Sequence, residues 1–319
     1  MTQRVIPFFV LKIGGRLICS VEIIMLTLHK RNGMSLQAED IGPKHIDIDN
    51  ILASKGIRLP RWMRRWMCKL LHVDQLNDGI YYNRELEGVP FVIRFLEGKE
   101  PYNLGITLQC EQLENVPVGG NPIICGNHPL GGPDGLAVMA AVGRRRTDIQ
   151  FPVNDFLMYL PGLACLFVPI DKVHRNSRNV DKLEQAFAAQ NALLYFPAGI
   201  CSRRQKGGAI RDLQWKPTVI KKARRYHRDV IPFFFAAQNR RRFYNIARLR
   251  KALGIKFNFE MALLPAEMFA QKGKSMRIVF GKPIPYTVFD NRHSDLEWAA
   301  LLRDHVYRLQ DNPHADFIY

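Results

Sequence analysis

From Ile106 onward, short apolar runs alternate with amphipathic stretches. Ile106–Cys110, Asn121–Cys125, Asp148–Val153, Leu166–Ile170, Ala192–Phe196 and Asp229–Phe235 are brief, rich in β-branched and aromatic residues, and read as strands. Between them Asn154–Leu160, Val180–Asn191, Thr218–His227 and Phe243–Leu253 carry apolar positions at helical spacing. Phe257–Leu264 and Met276–Phe280 add two later strands, and Asp295–Gln310 closes the chain as an amphipathic helix. Strands separated by helices predict an α/β fold, a mainly parallel mixed sheet flanked by helices on both faces.

The pattern before Leu104 is helical. Ile48–His72 reads as one helix, with Trp62, Met63, Trp66, Met67, Leu70 and Leu71 on one side and Arg61, Arg64, Arg65 and Lys69 on the other. Two readings fit that face: a segment lying in a membrane interface, or a helix capping the core with a solvated basic side. Tyr81–Glu97 reads as a second helix, weakened by Gly88 and Pro90. Residues 34–103 are therefore expected to form an N-terminal helical, membrane-interface subdomain, and residues 104–319 the α/β domain. The apolar stretch Val5–Leu28 is broken by Lys12, Gly14-Gly15, Arg16 and Glu22, short of the roughly 18 to 20 residues a span requires. Residues 1–33 are expected to be a dispensable extension.

Charge narrows the partners. The chain has 46 Lys and Arg against 29 Asp and Glu, a formal net charge of +17. Such an excess predicts a negatively charged partner: nucleic acid, an anionic lipid surface or an acidic carrier protein. Zinc-finger, helix-turn-helix and aromatic-basic RNA motifs are missing, which argues against nucleic acid. The six cysteines include no CxxC pair and no metal-like spacing, so no disulfide framework or metal site is expected. Cys201, in a glycine-rich turn, is the one thiol positioned like a nucleophile, and that role requires a lowered pKa.

The strongest chemical signal follows the second strand of the domain: Gly126-Asn127-His128-Pro129-Leu130-Gly131-Gly132-Pro133-Asp134-Gly135. Prolines and glycines between His128 and Asp134 exclude a continuous helix, and Pro133 suits the first turn of a new one. An imidazole held by a nearby carboxylate can take a proton from a weak nucleophile. The alternative for an isolated pair is a loop-capping histidine and an ordinary helix N-terminal acid. Two further junctions carry cations or glycines: Phe167-Val168-Pro169-Ile170-Asp171-Lys172 leading to Arg175, and Phe196-Pro197-Ala198-Gly199-Ile200-Cys201-Ser202-Arg203. Ligands of open parallel sheets bind beyond the carboxyl ends of the strands, so these loops should converge near His128.

Taken in order with Val230-Ile231-Pro232, these blocks resemble the four motifs of the glycerolipid acyltransferase superfamily, the group of the 1-acylglycerol-3-phosphate acyltransferases. The resemblance covers roughly 104–285. The Asn-His-Pro-Leu-Gly-Gly-x-Asp-Gly form is most similar to the haemolysin-like branch, which includes O-acyltransferases of bacterial ornithine and glycine lipids. Two departures stand out. Five residues rather than the usual four separate His128 from Asp134, so the loop must bulge. In the third block Ala198, Ile200 and Cys201 replace the usual glutamate, threonine and arginine, which points away from lysophosphatidic acid as acceptor and toward a lyso-amino-acid lipid.

The resemblance implies acyl transfer in membrane lipid synthesis, from an acyl-carrier protein or coenzyme A thioester to the hydroxyl of a lyso-lipid, with no bound cofactor or metal. His128 would be the general base and Asp134 its orienting partner. Gly131 and Gly132 would offer oxyanion-stabilising amides. Lys172, Arg175, Gly199, Ser202 and Arg203 would form the acceptor headgroup site. Arg144–Arg146, Lys221-Lys222 with Arg224-Arg225, and Arg240–Arg242 with Arg248 and Arg250 fit docking on an acidic carrier or an anionic membrane, placing the protein peripherally on the cytoplasmic face of the cell membrane. The competing reading is a catalytically silent lipid-binding, haemolysin-like protein.

Overall fold

A computed structural model describes residues 10–13, 16–19, 46–53, 56, 58–153, 161–169, 177–255 and 258–319. The expected helix Asn154–Leu160 and most of the 1–33 extension lie outside these residues. From the extension, β1 (Val10–Ile13) and β2 (Arg16–Cys19) pair as an antiparallel hairpin.

Among the described residues four helices precede the sheet: α1 (Ile48–Ala53), α2 (Arg61–Leu70), α3 (Val73–Tyr82) and α4 (Gly88–Glu97). Each of the two helices expected here is thus divided. Gly56 at φ +66° and Pro60, extended at ψ 147°, separate α1 from α2, because proline biases the preceding residue away from helix and restarts one after it. His72 at φ 51° turns the chain between α2 and α3, and Gly88 at φ +61° opens α4. Buried Met63, Met67, Leu76, Ile80, Phe91, Val92 and Leu96 from these helices join one apolar cluster with the sheet residues Ile124, Phe151 and Phe233.

The main sheet contains β3 (Thr107–Glu111), β4 (Ile123–Gly126), β5 (Ile149–Val153), β6 (Phe167–Pro169), β7 (Ala192–Tyr195), β10 (Val230–Ala236) and β11 (Ser275–Phe280) in the order β3-β11-β10-β4-β7-β5-β6. Only the β10–β11 pairing is antiparallel, so β3 and β11 run against the other five, and the sheet is mainly parallel and mixed. β10, with the sequence VIPFFFA, is buried on both faces, as expected of a central strand covered by helices. Complete burial of side chains such as Phe233 and Phe235 contributes about 1.5–3 kcal/mol each. The two-stranded ribbon β8 (Arg203–Arg204) and β9 (Ile210–Arg211) projects from the loop after β7.

α5 (Pro133–Gly143) lies on the face shared with α4, while α6 (Ser177–Ala188), α7 (Thr218–Arg225) and α10 (Asp295–Arg308) accompany the second apolar cluster on the other face. α10 starts on a capping box: Ser294 accepts from the Glu297 amide and Glu297 accepts from the Ser294 amide. α8 (Arg241–Ala252) and the short α9 (Leu264–Phe269) flank the sheet end. The strand expected at Phe257–Leu264 is instead a 3-10 turn, Phe259–Leu263, running into α9. Pro265 suits a first helical turn, and the buried Glu260 meets Arg203 and Arg250, a pairing that the alternating apolar pattern does not reveal.

Candidate active site

β4 ends at Gly126, where a Cβ would sit 2.2 Å from the Phe233 carbonyl oxygen on β10, so only glycine allows this approach. Asn127 then extends the pairing with its side chain. Its Oδ1 accepts from the Phe235 amide at 2.7 Å and its Nδ2 donates to the Phe235 carbonyl at 2.9 Å. The next residue, His128, is fixed on both sides of its backbone. Its carbonyl accepts from the Ser202 amide at 2.7 Å, and its amide donates to Asp212 Oδ1 at 3.2 Å. Its ring stacks on Phe196, with centroids 4.1 Å apart and planes 23° from parallel.

His128 Nδ1 lies 3.0 Å from Asp134 Oδ2, so the longer loop does bring the two side chains together. The bulge is taken up at Gly131, φ +99°, where a Cβ would meet Leu264 Cδ1 at 2.7 Å. Asp134 is wholly buried in the first turn of α5 and accepts from the amides of Leu130 (2.9 Å), Gly131 (3.2 Å) and Gly135 (3.0 Å). Burial opposes its charge, but the His128 imidazole and the Leu130 and Gly131 amides outweigh it and hold its pKa below the ordinary 3.8. The helix N-terminus favours the same anion. An ionised acceptor at Nδ1 assigns the proton to that nitrogen and leaves Nε2 as the basic one. The imidazole is only 14% exposed.

The two loop glycines are not equivalent. The Gly131 amide is already committed to Asp134, whereas the Gly132 amide has no acceptor among the described residues and sits at the N-terminus of α5. Of the expected headgroup residues, Lys172 and Arg175 lie outside the described residues. Gly199 adopts φ +70° in the turn after β7. Ser202 turns inward, its Oγ donating to Asp212 Oδ1 at 2.6 Å. Arg203 departs from expectation. Its guanidinium is buried against Glu260 Oε1 (3.0 Å) and the Cys201 carbonyl (2.7 Å), beneath the Phe243 ring, so its charge is already matched. Cys201 is fully buried, and desolvation pushes its thiol up to about 11, the opposite of what a nucleophile needs.

Sequence reasoning missed the support beneath the loop. Asp212 is 1% exposed and takes His128 N–H and Ser202 Oγ–H on one oxygen and Trp215 Nε1–H (2.9 Å) on the other. Its own amide donates to Tyr307 Oη on α10 at 2.8 Å. Asn239 Nδ2 lies 3.3 Å from both the Pro129 and Leu130 carbonyls. No spacing signal marks these positions, because they come from the ends of different elements.

Much of the basic charge is paired within the chain. Arg146 binds Asp148 and the carbonyls of Pro117, Gly119 and Gly120, and Arg144 pairs with Glu97. Lys222 and Arg225 meet Glu184, Arg224 meets Asp295, Arg240 meets Glu267 and Arg250 meets Glu260. Arg241, Arg242 and Arg248 remain exposed on α8. Among the described residues no His, Cys, Asp and Glu cluster could hold a metal ion, and no helix is long and apolar enough to cross a membrane.

The chain is similar to known acyltransferases. The sequence profile of a family described as Acyltransferase matches residues 49–316. A lyso-glycine lipid O-acyltransferase of Phocaeicola vulgatus is 40% identical over 273 residues, covering 83% of this chain and 95% of the relative. One of the same name from Bacteroides thetaiotaomicron is 39% identical, covering 83% and 97%. Among solved structures, the 1-acyl-sn-glycerophosphate acyltransferase of Thermotoga maritima aligns over 70% of this chain and 79% of its own at 15% identity, TM-score 0.45. With a family profile that spans most of the chain and relatives matched nearly end to end, this chain belongs to the acyltransferase family, within the glycerolipid acyltransferase superfamily.

Proposed function

We propose that this acyltransferase moves a fatty acyl group from an acyl-carrier protein or coenzyme A thioester to the hydroxyl of a lyso-lipid, and that the acceptor is a lyso-glycine lipid. The 3.0 Å contact between His128 and Asp134 carries the reading, and the printed names of the relatives support the acceptor. The acceptor oxygen attacks the thioester carbonyl carbon while His128 Nε2 removes its proton. The imidazolium so formed is stabilised by Asp134, and the Gly132 amide faces the developing oxyanion at the α5 N-terminus. The carbon–sulfur bond then breaks, and the departing thiolate takes the proton back from His128. General base catalysis contributes about 10²–10⁴-fold, the remainder coming from positioning and charge stabilisation.

The reaction takes place at a membrane surface in this proposal, with α2 and α8 as the peripheral contact on the cytoplasmic face. α2 carries Arg61, Arg65 and Lys69 beside a 53%-exposed Trp62. It has no side-chain N-cap, no acid in its first turn, and a cation there instead, each a cost to helix stability that an anionic surface would offset. α8 adds Arg241, Arg242 and Arg248 and exposed Leu249 and Leu253, and Leu70 of α2 packs against its Phe243–Tyr244 cluster. Incubating purified protein with labelled acyl thioester and either lyso-glycine lipid or lysophosphatidic acid tests the function. Diacylated glycine lipid is expected, and transfer to lysophosphatidic acid alone would overturn the assignment.

A further inference from the structure

Beside the histidine loop lies a cavity of about 300 Å³ lined by Gln205, Lys206, Arg211, Asp212, Gln214 and Arg303. It is bounded by the β8–β9 ribbon and by α10, and Asp212, which lines it, accepts the His128 main-chain amide. The cavity is therefore one residue away from the His128 main chain.

Its charges are poorly compensated. Arg211 and Arg303 share a single carboxylate oxygen, Asp304 Oδ1, each at 3.5 Å, a long contact for two guanidinium groups. The Nε atoms of both arginines are buried without an acceptor. Lys206 is exposed and adds a third cation. The acid in the lining, Asp212, is not available to neutralise them, since both its oxygens are taken by His128, Ser202 and Trp215. Arg211 is held in place by stacking 4.1 Å over the Tyr307 ring, leaving its planar fork preorganised.

We infer that this cavity is the anion subsite of the acceptor: Lys206, Arg211 and Arg303 bind the free carboxylate of an amino-acid lipid whose hydroxyl reaches His128. This rests on the acceptor proposed above. Glycine acylated on its nitrogen keeps one carboxylate and no other charge, which a pair of guanidinium forks suits. It also gives the headgroup a place to bind when Arg203 is spent on Glu260.

The subsite is tested by a ligand that cannot react. N-palmitoylglycine has the carboxylate but no hydroxyl to acylate, and its methyl ester has no charge. Calorimetric titration in detergent is expected to show the acid binding the full-length protein about 10-fold or more tightly than the ester. Arg303→Gln, Arg211→Gln and Lys206→Gln should each shrink that preference while ester binding persists, which also shows that the variant has folded. Equal binding of acid and ester by the unaltered protein, or a preference untouched by all three changes, overturns the subsite. Lysophosphatidic acid in the same titration separates phosphate from carboxylate: if the substitutions weaken it and leave N-palmitoylglycine unaffected, the carboxylate assignment is wrong. A rise in KM for the acyl thioester with none for the acceptor would assign the cations to the donor and equally overturn it. Since none of the titrations needs turnover, failure of the acyl-transfer reading is distinguished from failure of the subsite.

Discussion

The Asp212 carboxylate lies 3.2 Å from the main-chain nitrogen of His128, 84 positions earlier in the chain. The contact joins the histidine loop to the segment after β9, and through Tyr307 Oη to the C-terminal helix. It also orders the experiments below, because the imidazole is placed by two carboxylates of different kinds. Asp134 binds its ring, and Asp212 its backbone.

Removing the ring should remove the activity. His128→Ala is expected to lower kcat by about 10²–10⁴-fold. Asp134→Asn, which no longer fixes the Nδ1 proton, should cost a comparable factor of about 10²–10⁴. Steady-state assays with labelled thioester measure both, and unchanged turnover in either variant would remove that residue from the mechanism.

Asp212→Asn keeps the shape but replaces an acceptor with a donor. An amide can serve His128 N–H and Ser202 Oγ–H through its oxygen, yet its nitrogen then faces the Trp215 indole N–H, donor against donor. The expected cost is about 1–3 kcal/mol, read as a lower denaturation midpoint. In a double-mutant cycle with Trp215→Phe, the two changes should couple by about 0.5 kcal/mol or more. Additive losses would mean that the indole contact contributes nothing.

Acid sensitivity should come partly from His305. This side chain is buried on α10 with neither ring nitrogen bonded and its edge against Phe317. Desolvation depresses its pKa to about 4 from 6.5. The unfolded chain therefore binds a proton below about 6.5 that the folded chain refuses until about 4. Stability is lost as pH falls through that window and is regained as pH rises above it. His305→Leu should flatten the unfolding free energy between those two values in pH-dependent denaturation curves. An unaltered slope would place the titration elsewhere. Asp134 acts lower: with its folded pKa depressed, its stabilisation is full above 3.8 and is lost as pH falls below it.

Vesicle binding should depend on α2. Replacing Arg61, Arg65 and Lys69 with glutamine is expected to weaken sedimentation with anionic vesicles, each cation contributing about 1 kcal/mol near the surface. Trp62→Ala should weaken it further through lost apolar contact. Raising the salt should reduce binding by the unaltered protein and matter less in the triple variant. Salt-independent binding would mean that charge is not what holds the protein there.

Elements set by local physics were legible without coordinates. The apolar runs of β4, β5, β7 and β10 and the helix after Pro133 are fixed by side-chain periodicity and by proline's lost donor, which act within a few residues. The His128–Asp134 pair was legible for the same reason: both ends lie on one short loop. Where the sequence misled, competing local signals were close together. Pro60 and Gly88 divided helices whose apolar pattern ran on, and Glu260 drew an alternating stretch into a turn by pairing with Arg203 and Arg250.

The sequence by itself determined a mainly parallel α/β sheet, a histidine loop with its acid, and a strongly basic surface composition. The tertiary structure alone decided which of those bases are already paired, so that Arg203 and Arg146 serve the interior while Lys206, Arg211 and Arg303 gather beside the loop. It also decided that Asp212, Asn239 and Tyr307 hold that loop in place. The physical reason is range: backbone propensity and periodicity act over a turn of chain, but the partner of a charge is chosen by packing between elements tens to a hundred or so residues apart.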